Sequence, residues 1–555
     1  VVTENVTENV TEKPDGNLVA VEGLRVDYRV GRSVVHAVRG IDFTLRAGEC
    51  LAIVGESGSG KSATAKALLG LTGPGSTVRA DRLSLSGTDL TTLTERDWRR
   101  VRGARVGLVS QDALNSLDPV RTVGAEIAEA LRNHRVVDRA ELPQRVRSLL
   151  VDARVPEPDL RAKQYPHQLS GGLRQRALIA SAMAADPPLL VADEPTTALD
   201  VTVQARILDL LAARKAEGTG VLLISHDLAV VARLADRIAV MWNGEIVETG
   251  TAADLLRAPE HPYTQRLLAA IPSAHARGAR LSGPRTGKKS PAKPHPSGVV
   301  AEVCGVHKSF RGPDKVSRPA VADVSFSLAA GEILGVVGES GSGKSTLAHL
   351  LLGLLEPDEG SIVLFGQQWS GVKRRERGRV QWVQQDPLGS FDPRYTVGRV
   401  IGEAAGTNRA RVLELLALVG LDLSLVDRNP RTLSGGQRQR VAIARALAPS
   451  PEVIVCDEPV SALDVSVQAQ ILDLFTDIRA DLGTSLVLIS HDLGVVHHIS
   501  DRVLVMKDGR IVESGAVTEV FANPTHDYTR ELLSAQPRPA DSPTLESVVA
   551  GQTRA

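Results

Sequence analysis

Gly55-Glu56-Ser57-Gly58-Ser59-Gly60-Lys61-Ser62 and Gly338-Glu339-Ser340-Gly341-Ser342-Gly343-Lys344-Ser345 are one octapeptide met twice in a single chain. Both copies fit the glycine-rich loop closed by Gly-Lys-Ser that cradles phosphates. The glycines let the backbone turn its N–H groups inward on an anion, and a helix opening directly afterwards presents its positive end to the same charge. The lysine reaches the outer phosphates, and the serine hydroxyl can ligate Mg2+. The context suits the motif: Leu51–Val54 and Ile333–Val337 read as buried strands before each loop, and helical stretches follow, Ala63–Leu69 and Thr346–Leu352. Two nucleotide sites are therefore expected. One is formed by Gly55, Ser57, Gly58, Gly60, Lys61, Ser62 and Ala63, the other by Gly338, Ser340, Gly341, Gly343, Lys344, Ser345 and Thr346.

Further along, two apolar runs end in paired acids, Leu189 to Asp193 before Glu194, and Val453 to Asp457 before Glu458. The first carboxylate of each pair is placed to hold Mg2+, usually through water. The second can orient or deprotonate an attacking water. A neutral amide there would remove that base, so glutamate in both copies favours hydrolysis over mere binding. Leu169-Ser170-Gly171-Gly172 and Leu433-Ser434-Gly435-Gly436 open helices, and their serines stand 23 residues before each aspartate. A serine and two glycines at such a point form another anion-receptive N-terminus. Two more apolar strands, Val221–Ile224 and Leu486–Ile489, run into Ser-His-Asp and carry His226 and His491.

With these motifs in this order, the chain resembles the ATP-binding proteins of ABC transporters, with two nucleotide-binding domains fused. The resemblance covers nearly all of the chain outside its tails and linker. It implies an α/β fold of two tandem P-loop NTPase (RecA-like) domains, each with a small antiparallel β subdomain and a helical subdomain. It also implies that the Leu-Ser-Gly-Gly signature of one domain closes over ATP held by the loop of the other. One composite site then joins Lys61, Ser62, Gln111, Glu194 and His226 to Ser434 and Gly436; the other joins Lys344, Ser345, Gln385, Glu458 and His491 to Ser170 and Gly172. By the same resemblance, Gln111 and Gln385 are Q-loop glutamines that sense the γ-phosphate and Mg2+, and His226 and His491 are switch histidines. The Mg2+ sets are Ser62, Gln111 and Asp193, and Ser345, Gln385 and Asp457. Ala198-Leu199-Asp200 and Ala462-Leu463-Asp464 are similar to the D-loop. Tyr28 and Phe310 are candidates to stack on adenine, with packing in the small sheet as the alternative. Two departures between copies, Ala63 against Thr346 and Leu173 against Gln437, are read as tolerable, so two hydrolytic sites are expected.

Positioning these groups takes more than one core. At 555 residues the chain exceeds an ordinary single domain, and roughly two to four domains are expected. Apolar content of 43% with 23% charged residues is that of a soluble globular protein. Lys and Arg number 65, as do Asp and Glu, so bulk charge gives no support for a nucleic-acid or anionic-membrane binder. Cys50, Cys304 and Cys456 are far apart, which argues against a disulfide framework, a zinc site or an iron–sulfur cluster and fits a reducing compartment. The polar start lacks the features of a secretory signal, and no apolar run has the length of a membrane span.

Residues 18–50 and 299–332 alternate as short strands and predict a small antiparallel sheet ahead of each loop. Residues 120–165 and 395–430 have helical apolar spacing. Strands alternating with helices then imply a mostly parallel, doubly wound sheet in each half. The predicted layout is a disordered tail (1–17), a first domain (18–272), a proline-rich flexible linker (273–298), a second domain (299–536) and a disordered tail (537–555). The loop lysines lie 283 positions apart but the later aspartates only 264. The first copy is thus longer, by an insertion that belongs at the periphery.

Smaller features refine the resemblance. His261-Pro262-Tyr263-Thr264 and His526-Asp527-Tyr528-Thr529, with Leu117-Asp118-Pro119 and the stretch Phe391–Gly398, are similar to segments of peptide and nickel importer ATPases. That implies the ATP-hydrolysing, energy-coupling subunit of a bacterial importer for dipeptides or oligopeptides, using ATP and Mg2+. It would work with two transmembrane permease subunits and an extracytoplasmic substrate-binding protein, without nucleic acid, at the cytoplasmic face of the inner membrane. Solute choice resides in other subunits, so nickel, glutathione-like and microcin-like peptides are alternatives. The rival class is a soluble twin-domain ATPase acting on ribosomes; its relatives have long charged helical linkers, unlike the proline-broken one here. Some importer relatives carry a cysteine cluster past the His-Pro-Tyr segment. None follows here, and no iron–sulfur cofactor is carried over.

Overall fold

The structure is a computed structural model. It describes residues 16–110, 116–196, 199, 201–272, 275–283, 298–311, 316–369, 376–406, 408–461 and 463–535. They form two compact units, Val1–Pro195 with Ile207–His261, and Thr196–Arg206 with Pro262–Ala555.

In the first unit the strands are β1 (Asn17–Val30), β2 (Ser33–Arg46), β3 (Cys50–Val54), β4 (Ser76–Arg79), β5 (Arg82–Leu85), β6 (Thr88–Asp89), β7 (Val106–Val109), β8 (Leu189–Asp193), β9 (Gly220–Ile224), β10 (Arg237–Trp242) and β11 (Glu245–Thr251). β1, β2, β4, β5 and β6 make an antiparallel sheet, ordered β2-β1-β5-β6 with β4 also on β1. The other six lie in the order β11-β10-β3-β9-β8-β7, parallel throughout except for the β10–β11 edge pair. Every residue of β3, β8 and β9 is buried. That is why these strands read as continuous apolar runs and not as alternation. The helix Lys61–Leu68 touches strands of both sheets. Leu68 at its end sits in one core with Leu24 and Leu45 of the antiparallel sheet and Ile53 and Ile224 of the parallel one. Truncating Leu68, which is fully buried, to alanine costs about 2–5 kcal/mol.

The second unit repeats the plan with β12 (Val299–Arg311), β13 (Ser317–Ala329), β14 (Ile333–Val337), β15 (Glu359–Leu364), β16 (Gln367–Gln368), β17 (Val380–Val383), β18 (Val453–Asp457), β19 (Ser485–Ile489), β20 (Arg502–Lys507) and β21 (Arg510–Ala516). Its sheets run β13-β12-β15-β16 and β17-β18-β19-β14-β20-β21. In each unit a helical patch packs against the helix that follows the Ser-Gly-Gly motif. Val123–Asn133 and Leu142–Asp152 lie on Gly171–Ala182; Val397–Ala405 and Arg409–Leu418 lie on Gly435–Leu447. Thr122 and Thr396 cap the first helix of each patch, accepting from Ala125 N–H and Arg399 N–H.

The segment expected to be a flexible linker is in part held down. Asp473, buried in the helix Val465–Leu482, accepts hydrogen bonds from Leu281 N–H (3.1 Å), Ser282 N–H (2.9 Å) and the Ser282 hydroxyl (2.5 Å). Arg280 pairs with Asp477 at 2.8 Å, and His498 Nε2 lies 3.0 Å from the Ala279 carbonyl. The prolines of that segment, Pro284, Pro291, Pro294 and Pro296, lie outside the described residues. The helix Pro262–Ala269 groups with the second unit.

A candidate nucleotide-hydrolysis site in each unit

β3, β9 and β8 are consecutive neighbours, so their carboxyl ends open at one edge. The phosphate loop leaves β3, Ser225-His226-Asp227 leaves β9, and Asp193-Glu194 ends β8. In open α/β sheets this is where ligands bind. The second unit brings Gly338, His491 and Asp457-Glu458 together on β14, β19 and β18 in the same way.

Within the first loop the need for glycine is steric at Gly60, where a Cβ would come within 2.3 Å of the Ala37 carbonyl oxygen at φ +107°. Gly58 differs. It also has a positive φ, +83°, but a Cβ there would meet nothing within 4 Å, so its need for glycine is conformational and not steric. Gly343 and Gly341 repeat this pair. Lys61 Nζ donates to the carbonyls of Gly55 (2.8 Å) and Glu56 (2.7 Å), with Ser59 Oγ at 3.4 Å. Lys344 does the same with Gly338 (2.7 Å), Glu339 (2.7 Å) and Ser342 (3.5 Å). Both ammonium groups are buried and already in the loop.

The Ser62 hydroxyl donates to Asp193 Oδ1 at 3.1 Å. Burial pushes the Asp193 carboxyl above its usual range against that bond, and Glu194 pushes the same way. Asp457 is raised by burial and by Glu458 against a bond from Ser345. Glu194 and Glu458 both take left-handed backbone, φ +50° and +47°, yet their N–H groups still reach across to Ile224 and Ile489 at 2.8 and 2.9 Å. Backbone strain of this kind gathers at functional sites. It turns each carboxylate toward its histidine: His226 Nδ1 and His491 Nδ1 each lie 3.1 Å from the Oε1 of Glu194 and Glu458. Gln385 Nε2 donates to the other oxygen of Glu458 at 2.7 Å. Burial lowers both histidine pKa values, but the glutamates outweigh it and both end raised. For Glu458, burial is the largest influence and raises the pKa, but the bond and charge of His491, the Lys344 charge and a Ser461 bond together outweigh it and leave it below its usual range.

The aspartate after each of these histidines is a functional residue that the motifs do not name, although Asp ahead of an apolar helical run signals an N-cap. Asp227 accepts from Ala229 and Val230 N–H, and Asp492 from Gly494 and Val495 N–H. These caps fix the turn that carries the histidine. Ser170 and Ser434 are N-caps of their helices, but only Ser434 has a capping box, completed by Gln437, where the first copy has Leu173. Tyr28 is half-buried on β1 and Phe310 is exposed on β12. Gln111, Ala198, Asp200 and Ala462 lie outside the described residues; Asp464 caps the helix Val465–Leu482.

A glycine loop with an internal lysine, a serine–aspartate pair and a glutamate–histidine pair at the ends of adjacent parallel strands defines a P-loop nucleotide hydrolase. The family described as ABC transporter matches residues 38–197 and 321–461, and the one described as oligopeptide/dipeptide transporter, C-terminal region, matches 247–304 and 512–554. The chain belongs to the ABC transporter family, with two fused ATP-binding domains, and is an ATPase. It is 45% identical over 560 aligned residues to the glutathione import ATP-binding protein GsiA of Shigella dysenteriae, covering 94% of this chain and 90% of that protein. To the protein of the same name from Escherichia coli K12 it is 44% identical with the same coverage. A solved model of ribosome-bound archaeal Pelota and ABCE1 matches with a TM-score of 0.59 over 92% of this chain and 80% of that one, at 22% identity, a likeness of fold alone.

Proposed function

We propose that the chain is the energy-coupling subunit of an importer of short peptides, and that glutathione, the solute named for its relatives, is the first to test. The observation that carries this is the pairing, in both halves, of a phosphate loop and Glu–His site with the oligopeptide/dipeptide transporter C-terminal region. The partners in this reading are two transmembrane permease subunits and an extracytoplasmic binding protein. The chain sits peripherally on the cytoplasmic face. No helix among the described residues is long and apolar enough to cross a membrane.

In each half, Lys61 or Lys344 leaves its loop carbonyls for the outer phosphates, and the loop N–H groups hold the rest of the chain of phosphates. Glu194 and Glu458, aimed by their histidines, accept the proton of the attacking water. Ser62 with Asp193, and Ser345 with Asp457, would hold Mg2+, which supplies charge neutralisation at the phosphates. The donor set fits: two oxygen ligands per half suit a hard cation that keeps water and phosphate ligands, and a divalent charge offsets the burial that raises both aspartates. Tyr28 and Phe310 are proposed to meet the adenine.

The test is uptake of radiolabelled glutathione and of a labelled dipeptide by cells lacking the chain, restored with wild type or with Lys61→Ala/Lys344→Ala. Restored uptake by wild type alone supports the reading. Uptake indifferent to the chain, with the protein recovered on ribosomes, overturns it.

A further inference from the structure

The helix Asp527–Ala535 in the second C-terminal region is tied to the nucleotide loop by a short run of polar contacts. Glu513 on β21 accepts from Thr525 N–H (2.8 Å), the Thr525 hydroxyl (2.8 Å) and His526 N–H (3.1 Å). His526 Nδ1 in turn accepts from Tyr528 N–H at 3.1 Å. The start of the helix is thereby pinned to the sheet. Tyr528 is 2% exposed, with Lys507 Nζ 4.4 Å from its ring centroid. Its hydroxyl accepts the Glu339 N–H of the phosphate loop at 2.9 Å. The carbonyl of that same Glu339 accepts Lys344 Nζ at 2.7 Å. One residue's backbone is thus held by Tyr528 at its N–H and by the phosphate-binding lysine at its carbonyl. A buried ring with one polar handle is suited to this, because packing fixes where the hydroxyl stands.

We propose that Tyr528 is a positioning residue of the second phosphate loop, its hydroxyl setting the Glu339 backbone and so the place from which Lys344 engages the outer phosphates of ATP. The C-terminal region is then a brace of the nucleotide site, set by Glu513 and His526. This rests on the nucleotide reading above.

Tyr528→Phe keeps the ring and removes the acceptor. It is made in full-length protein carrying Lys61→Ala, so that ATP binding reports the second loop. Two quantities are read: amide hydrogen exchange of the peptide spanning Gly338–Ser342, and equilibrium ATP affinity. The expected result is faster Glu339 exchange and an affinity roughly fivefold weaker, the effect of one net hydrogen bond. Turnover at saturating ATP changes less than affinity, and the melting temperature of the free protein stays near wild type. Glu513→Gln, which loosens the pin without touching the ring, should move exchange and affinity in the same direction. Unchanged exchange and affinity in Tyr528→Phe overturn the proposal while leaving the nucleotide reading intact. Absence of ATP binding in the Lys61→Ala parent overturns both.

Discussion

His491 Nδ1 lies 3.1 Å from Glu458 Oε1, and His226 repeats the distance to Glu194. A carboxylate and an imidazole so close hold each other's charge. With Gln385 on its second oxygen, Glu458 has a single orientation when water must be activated.

Replacing one glutamate at a time shows whether both halves hydrolyse. Glu194→Gln and Glu458→Gln should each lower steady-state ATP turnover by about half or more, and the double variant by ~10²–10⁴-fold, the range of a lost general base. Phosphate release measures this. A single variant with full turnover would mark its half as silent.

The pair also predicts a pH dependence. The folded pKa of His491 is raised above its usual 6.5, so its pairing adds stability that is fully present below 6.5 and fades as pH rises through the folded value. The lowered Glu458 contributes above its usual 4.5 and loses that contribution as pH falls through its folded value. His491→Ala should therefore be most destabilised against wild type in mildly acid buffer, with the gap narrowing in alkaline buffer. Paired thermal melts read it directly.

Two glycines of one loop should respond differently to alanine. Gly343→Ala puts a Cβ 2.2 Å from the Ala320 carbonyl oxygen at φ +101° and should lower the melting temperature as well as abolish ATP binding at that loop. Gly341→Ala meets nothing within 4 Å, so its cost to the fold is that of the left-handed backbone alone, roughly 1–2 kcal/mol. Equal destabilisation by the two would contradict the packing described.

Asp473 anchors the residues that lead out of the first half. Asp473→Ala removes three hydrogen bonds to Leu281 and Ser282, and should speed tryptic cleavage after Arg277 and Arg280 severalfold while turnover is retained. Cleavage at the wild-type rate would show that Arg280 with Asp477 suffices.

Much of the site was legible because its chemistry demands fixed residue types at strand ends. The glycine loops, the acid pairs and the histidines follow buried apolar runs, and β3, β8 and β9 are indeed buried along their whole length. What stayed hidden depends on contacts distant in sequence. Tyr528 meets Glu339 across 189 positions, and no local pattern states that a tyrosine hydroxyl will face a loop amide. The docking of Leu281 and Ser282 on Asp473 is hidden for the same reason, since the partners stand 192 and 191 positions apart. The left-handed φ of Glu194 and Glu458 is likewise invisible, because glutamate carries no preference for it.

Whether the chain couples ATP to a peptide importer is decided by extracting the native protein in mild detergent and identifying what remains bound by mass spectrometry. Two polytopic permeases and an extracytoplasmic binding protein are expected, the latter carrying a short peptide such as glutathione. Recovery with ribosomal proteins and no membrane partner would contradict that role.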